Sequence, residues 1–229
     1  MSKNTRPIIL AAMAASLAWS SAAHAQRPPP QFPDMTFFIT SKSGPDGANF
    51  GGIKGADNHC KALATRAGAG NKSWRAYLST QASGGKLAVN ARDRIGRGPW
   101  VNSAGVQVAA NVDELHSAAS KINVEIGRSE NGRRIPGRRF VVNQHDILTG
   151  STADGRAFPP AEDMTCGNWT KNSGGRARVG HHDRMSGRPG PAGKSWSSAH
   201  MSRGCSATAL KRSGGAGLIY CFAAQLDDT

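Results

Sequence analysis

Apolar and polar positions alternate at a period near two in several short runs and follow a helical period in few places. Met35-Thr-Phe-Phe-Ile-Thr40 carries the aromatic and branched residues that suit a half-buried pleat, and it predicts a first strand. Over 55–66 the spacing changes. Ala56, Cys60, Leu63, Ala64 and Ala67 recur at i, i+4, i+7, i+8 and i+11, which is one face of an α-helix with Cys60 turned inward. Gly68 and Gly70 end it. Ser73-Trp-Arg-Ala-Tyr-Leu78 returns to alternation, with Trp74, Ala76 and Leu78 set against Arg75 and Tyr77. Pro99-Trp-Val-Asn102 and Val106-Gln-Val108 predict a hairpin across Asn102-Ser-Ala-Gly105. Asn111 with Glu114 resembles a capping box and predicts a second short helix to about Ala119. Arg139-Phe-Val-Val142 reads as another strand, and the run 218–223, with Tyr220, Cys221 and Phe222 in succession, as a buried last one.

From 150 to 215 nearly every signal is that of a loop: Asp154-Gly155, Pro159-Pro160, Gly174-Gly175, Pro189-Gly190-Pro191. A loop this long inside a compact domain is typically functional. The pattern as a whole predicts one α+β domain over 35–229, built of short strands, two short helices and an extended loop region. Scarce aromatics and abundant glycine agree with that class. No internal repeat or coiled-coil heptad interrupts it.

Ahead of the domain, residues 1–25 read as a secretory leader. Lys3 and Arg6 supply the positive start, 8–19 is apolar, and Ala23-His-Ala25 supplies small residues for cleavage after Ala25. The apolar run is shorter than the roughly 20 residues a membrane helix needs, and no later run is longer. Residues 26–34, rich in proline, form a stiff tether. About 204 residues then remain in a periplasmic or secreted protein, where disulfides persist.

Charge narrows the partners. The full chain carries +14, and loss of Lys3 and Arg6 leaves about +12. Arginines cluster at Arg128, Arg133, Arg134, Arg138 and Arg139, and again at Arg176, Arg178, Arg184 and Arg188. Such a field concentrates polyanions: acidic polysaccharide, lipopolysaccharide phosphate, anionic lipid or extracellular DNA. No motif indicates a specific nucleic-acid partner. The plain alternative is a solvated basic surface.

The runs Phe50-Gly-Gly-Ile-Lys-Gly-Ala-Asp-Asn-His-Cys60, Ser73-Trp-Arg-Ala-Tyr-Leu-Ser79 and Ala91-Arg-Asp-Arg94, followed by Cys166-Gly-Asn-Trp169, a third cysteine and a cysteine-bearing last strand, carry a resemblance. Together they resemble the endostatin-like branch of the C-type lectin-like fold, over about 35–223. Four cysteines allow three pairings. The resemblance implies the nested one, Cys60 with Cys221 outside and Cys166 with Cys205 inside. Each bridge is then worth roughly 3–5 kcal/mol in the chain-entropy view. Family function does not carry over with the fold. The zinc-binding histidines of endostatin's amino terminus have no counterpart in Gln26-Arg-Pro-Pro-Pro30, and the triplets of calcium-dependent lectins are absent.

Candidate chemistry concentrates in the 166–205 loop. Gly180-His-His-Asp-Arg184 and Ser195-Trp-Ser-Ser-Ala-His200 offer His181, His182, Asp183, Arg184, Ser195, Trp196 and His200. One reading is a recognition surface for carbohydrate or acidic glycan, with the Trp196 indole stacking on a sugar and no cofactor or catalytic residue. A second is a zinc-dependent hydrolase on His181, His182, Asp183 and His200, since imidazole and carboxylate are ligands Zn²⁺ accepts. A third is an adhesin that binds host matrix or protein through its arginines. The plain alternative is that these groups hydrogen-bond the loop backbone. His145-Asp146 and His182-Asp183 also invite a Ser–His–Asp triad, but no nucleophile elbow accompanies them.

Overall fold

The computed structural model describes residue 1, residues 30–185, residue 190 and residues 192–224. The leader after Met1, the first part of the tether, Arg188 and the last five residues of the predicted domain therefore lie outside the described residues. Within them, a mixed sheet is organised around the chain's last strand. β8 (Gly215–Ala224) pairs antiparallel with β1 (Phe37–Ile39) along one edge. On its other edge it pairs antiparallel with β2 (Ser73–Ala76) and then parallel with β5 (Asp146–Leu148). Beyond β5 come β6 (Arg178–His181) and β7 (His200–Met201), both antiparallel. A separate hairpin joins β3 (Trp100–Val101) to β4 (Gln107–Ala109), as the alternation predicts.

Burial of β8 on both faces follows from its period of two. Ile219, Cys221 and Ala223 enter one core with Phe38, Trp74 and Trp169. Leu218, Tyr220 and Phe222 enter a second with Phe37, Tyr77, Trp100 and Trp196. The first core is covered by α1 (Ile53–Arg66), which presents Ala56, Cys60, Leu63 and Ala64 as the spacing predicts. Gly55 is obligatory in that helix, because a Cβ there would sit 1.8 Å from the Phe50 carbonyl oxygen. Cys60 reaches Cys221 and Cys166 reaches Cys205, so the nested pairing is the observed one.

Some expectations need correction. The helix begun at Asn111 is α2 (Val112–Leu115), shorter than predicted, although Asn111 Oδ1 does accept from Glu114 N at 2.9 Å. The expected strand over 139–142 is an irregular loop, with Phe140, Val141 and Val142 exposed and no strand beside it. The supposed loop region holds β6, β7, a left-handed turn labelled α3 (Cys166–Trp169), and α4 (Ala207–Ser213) capped by Ser206. β6 and β7 carry few apolar residues, so their partners across the sheet define them, not their own pattern. No described helix is long and apolar enough to cross a membrane.

Candidate metal centre

The far edge of the main sheet converges on one carboxylate. β5 opens with Asp146, β6 ends at His181, β7 opens with His200, and His145 precedes β5. Asp146 Oδ1 lies 3.1 Å from His145 Nε2, 3.2 Å from His181 Nε2 and 3.3 Å from His200 Nε2. The His145 and His181 rings stack at 4.1 Å between centroids, and the His200 ring meets His181 edge-on. His145, Asp146 and His181 are almost wholly buried, whereas the His200 side chain is 41 % exposed.

Local backbone explains the convergence. Between Asp146 and Ile147 the pairing with β8 slips, from Gly215 to Leu218, so β8 bulges beside the site. Gly214 and Gly215 permit the approach. A Cβ on Gly214 would stand 3.1 Å from His145 Nε2, and one on Gly215 would stand 2.7 Å from the Asp146 carbonyl oxygen. Gly180 lets the 195–197 segment cross β6, since a Cβ there would fall 1.8 Å from the Trp196 carbonyl oxygen. The crossing segment is fixed by His181 N donating to Ser195 O and Ala199 N to Val179 O.

Each imidazole is oriented from behind. His145 Nδ1 faces Asp183 Oδ1 at 3.2 Å, His181 Nδ1 faces Gly193 O at 2.7 Å, and His200 Nδ1 faces Met201 O at 2.9 Å. Acceptors at all three positions place the proton on Nδ1 and leave the Nε2 lone pairs aimed at the Asp146 side. In front, the contacts are close but not aligned as hydrogen bonds. Asp146 Oδ1, Asp146 Oδ2 and His181 Nε2 are buried without a hydrogen-bond partner. Buried groups of this kind are rarely left unsatisfied unless something else occupies them.

Electrostatics reinforce the arrangement. Without an ion, burial pushes the Asp146 carboxyl up, but His181 and His200 turning a protonated Nε2 toward it, with the charge of His200 and His145, outweigh burial and hold the group below the usual carboxylate range. His200 is raised, chiefly by Asp146 and against its own partial burial. Asp183 is opposed by burial yet held well below its ordinary value by His145 and by the Arg138 and Met185 amides. It is therefore an anion that braces His145.

The separations suit a small tetrahedral cation. With Zn–N near 2.0–2.1 Å and Zn–O near 2.0–2.2 Å, ligand atoms stand roughly 3.3–3.5 Å apart. Asp146 Oδ1 stands 3.1–3.3 Å from each of the three Nε2 atoms, close to that separation. The ligand atoms of His145, Asp146 and His181 all lie within 4.8 Å of one another, a set whose imidazole and carboxylate chemistry Zn²⁺ accepts, and His200 touches the same carboxylate from the exposed side.

Of the residues predicted for this chemistry, His181 and His200 join the cluster and Asp183 supports it from behind. His182 does not join. It follows the last residue of β6, and its ring lies against the Pro136 carbonyl at 3.5 Å and close to Gly127. Burial lowers its pKa to about 4. Arg184 has a positive φ of 53° and a buried Nε without a partner, and Ser195 Oγ accepts from Ser198 N. His145 and Asp146 were singled out only as triad members. Their adjacency was the available signal, but their partners lie 35 and 54 residues downstream.

Trp196 needs correction as a sugar platform. It is 3 % exposed, its Nε1 donates to Leu115 O, and its ring packs on Tyr77, His116 and Tyr220. Among the described residues every tryptophan is buried. The arginines expected to bind polyanions divide: Arg128 bonds the Gly132 carbonyl and Arg134 pairs with Glu125, while Arg133, Arg138 and Arg139 are exposed.

A polar cleft of about 350 Å³ lies elsewhere, beside the left-handed Cys166–Trp169 turn. Its side-chain amides are taken up by backbone carbonyls: Gln81 Nε2 donates to Pro159 O and Glu162 O, and Asn168 Nδ2 to Gln81 O. Compared with known proteins, the chain matches no family model and shows no significant similarity to a curated protein.

Proposed function

We propose that this is a zinc-binding protein of an oxidising, extracytoplasmic compartment, in which His145, Asp146, His181 and His200 hold one ion and thereby tie β5, β6 and β7 together. The observation that carries the reading is the convergence of three Nδ1-anchored imidazoles on a buried carboxylate that lacks hydrogen-bond partners. The ion would neutralise Asp146 and engage the inward lone pairs, converting a costly buried cluster into a cross-link. His200, the exposed member, offers the route by which metal reaches the site.

His145, Asp146 and His181 form the buried part of the site, and His200 as a fourth ligand would complete a tetrahedral shell and favour a holding role over hydrolysis, because catalytic zinc keeps one position for water or substrate. Asp183, the nearest further carboxylate, is committed to His145, Arg138 N and Met185 N and is not free to act as a base. Carbohydrate recognition through Trp196 draws no support, for want of an accessible ring. The endostatin-like form of the α+β fold is part of the proposal, supported by the nested bridges and the central terminal strand. Export is supported by the two disulfides.

Metal analysis of protein purified without a histidine tag tests the reading. One zinc per chain is expected, lost in Asp146→Asn and His181→Ala and retained in His182→Gln. Protein that binds less than about a tenth of an equivalent from micromolar zinc, with its fold intact by circular dichroism, would refute it. In that case Asp146 is an anion paired with protonated His200.

A further inference from the structure

The segment 138–142, read from sequence as a strand, is instead a projecting loop. Phe140 is 45 % exposed, Val141 fully exposed and Val142 59 % exposed. Three successive large apolar side chains on one exposed tip are unusual in a soluble domain. Arg138 and Arg139 precede them and are exposed, and no acidic residue occurs from Asn131 to His145. Asp183 approaches the loop base, but its carboxylate is taken up by the Arg138 and Met185 amides and by His145.

We infer that this Arg-Arg-Phe-Val-Val tip is a docking site for an anionic lipid surface. The shape argues for lipid. The segment turns at 138–139 and bends over 140–142, so it offers no strand edge or flat face for a protein partner to pair with or cover. A convex tip sunk into the boundary between head groups and acyl chains buries all three. The charge argues the same way. Arginines beside the tip meet anionic head groups while their stems lie along the apolar layer. The loop is also held ready: Gln144 N donates to Pro136 O, Phe140 N to Gly137 O and Arg138 N to Asp183 Oδ2, so little ordering is left for the binding step.

This inference does not depend on the metal. Its test is co-sedimentation of the purified protein with vesicles of phosphatidylcholine containing 30 mol % phosphatidylglycerol, and with phosphatidylcholine alone. Binding is expected to the anionic vesicles, weaker by roughly tenfold or more in Phe140→Ser/Val141→Ser. Each of Arg138→Gln and Arg139→Gln should cost roughly fivefold. In Phe140→Trp, brominated acyl chains should quench the new indole. Unchanged partitioning of the Phe140→Ser/Val141→Ser protein would overturn the inference, as would no binding to anionic vesicles. Soluble heparin that competes fully while the brominated lipid fails to quench would also overturn it and assign the arginines to polyanions. Sedimentation velocity showing a dimer dissolved by Val141→Ser would overturn it in favour of a second copy of the chain.

Discussion

The two ends of the main sheet are closed by different means. At the β1–β8–β2 end, Cys60–Cys221 and Cys166–Cys205 join elements that already pack through Phe38, Leu63, Trp74 and Trp169. The Trp74 and Trp169 indole N–H groups are satisfied there, by Ala69 O and Ser79 O. At the β5–β6–β7 end the strands are two to four residues long and meet around Asp146 and three imidazoles. The first end is complete as it stands. The second buries polar atoms that its own side chains do not satisfy, and this is the gap the proposed cation would fill. The contrast teaches that a short-stranded sheet is fastened covalently where cysteines face each other, and that where the facing groups are hydrogen-bond acceptors it is left needing a cation, the role proposed above for zinc.

Breaking the covalent end should have the largest effect. The Cys60–Cys221 bridge spans 161 residues and Cys166–Cys205 spans 39, so the chain-entropy relation assigns about 5 and about 4 kcal/mol. Denaturant titration of Cys60→Ala/Cys221→Ala should show the larger loss of the two double variants. Removing metal from the ionic end comes next. At free zinc a thousandfold above its Kd, binding contributes about 4 kcal/mol, so a chelator should lower Tm by a margin that vanishes in Asp146→Asn. A chelator shift that is the same in both proteins would detach Asp146 from the metal.

Below both ends in magnitude stands His182. Its folded pKa is about 4, depressed by burial from the ordinary histidine value of 6.5. The folded state therefore favours the neutral ring, and the unfolded chain takes up the proton first. The contribution is fully present above pH 6.5 and is lost as pH falls towards 4, about 3 kcal/mol in all. In chelator, stability of the wild type should decline over that window more steeply than that of His182→Leu. Equal slopes would mean that the ring is solvated. The smallest effect is expected at α2, far from both closures. Asn111→Ala should cost about 1 kcal/mol in urea denaturation, with the zinc content unchanged.

How far the sequence reached differs in the same way between these regions. α1 was legible because five residues on one face set its period, and β8 because its run is apolar on both faces. The resemblance supplied the disulfide pairing, which the local pattern left open. At the ionic end only fragments showed. His181 and His200 were visible as metal-ligand types, but His181 and His182 looked equivalent. Alternation at the end of β6 sends one ring to Asp146 and the other to Pro136. Trp196 looked like a loop residue free to stack on a ligand. Its burial depends on Leu115 and Tyr220, which are far away in the chain.

Local order along the chain was enough to establish an α+β domain, its one substantial helix, its capped turn and its terminal strand, because each depends on neighbours within a few residues. The gathering of His145, Asp146, His181 and His200, the burial of the tryptophans and the exposure of Phe140 to Val142 belong to the tertiary structure alone. Each is settled by which distant strand lies alongside, and a bulge in β8 with glycines at 180, 214 and 215 sets that approach through steric room, which short-range periodicity does not encode.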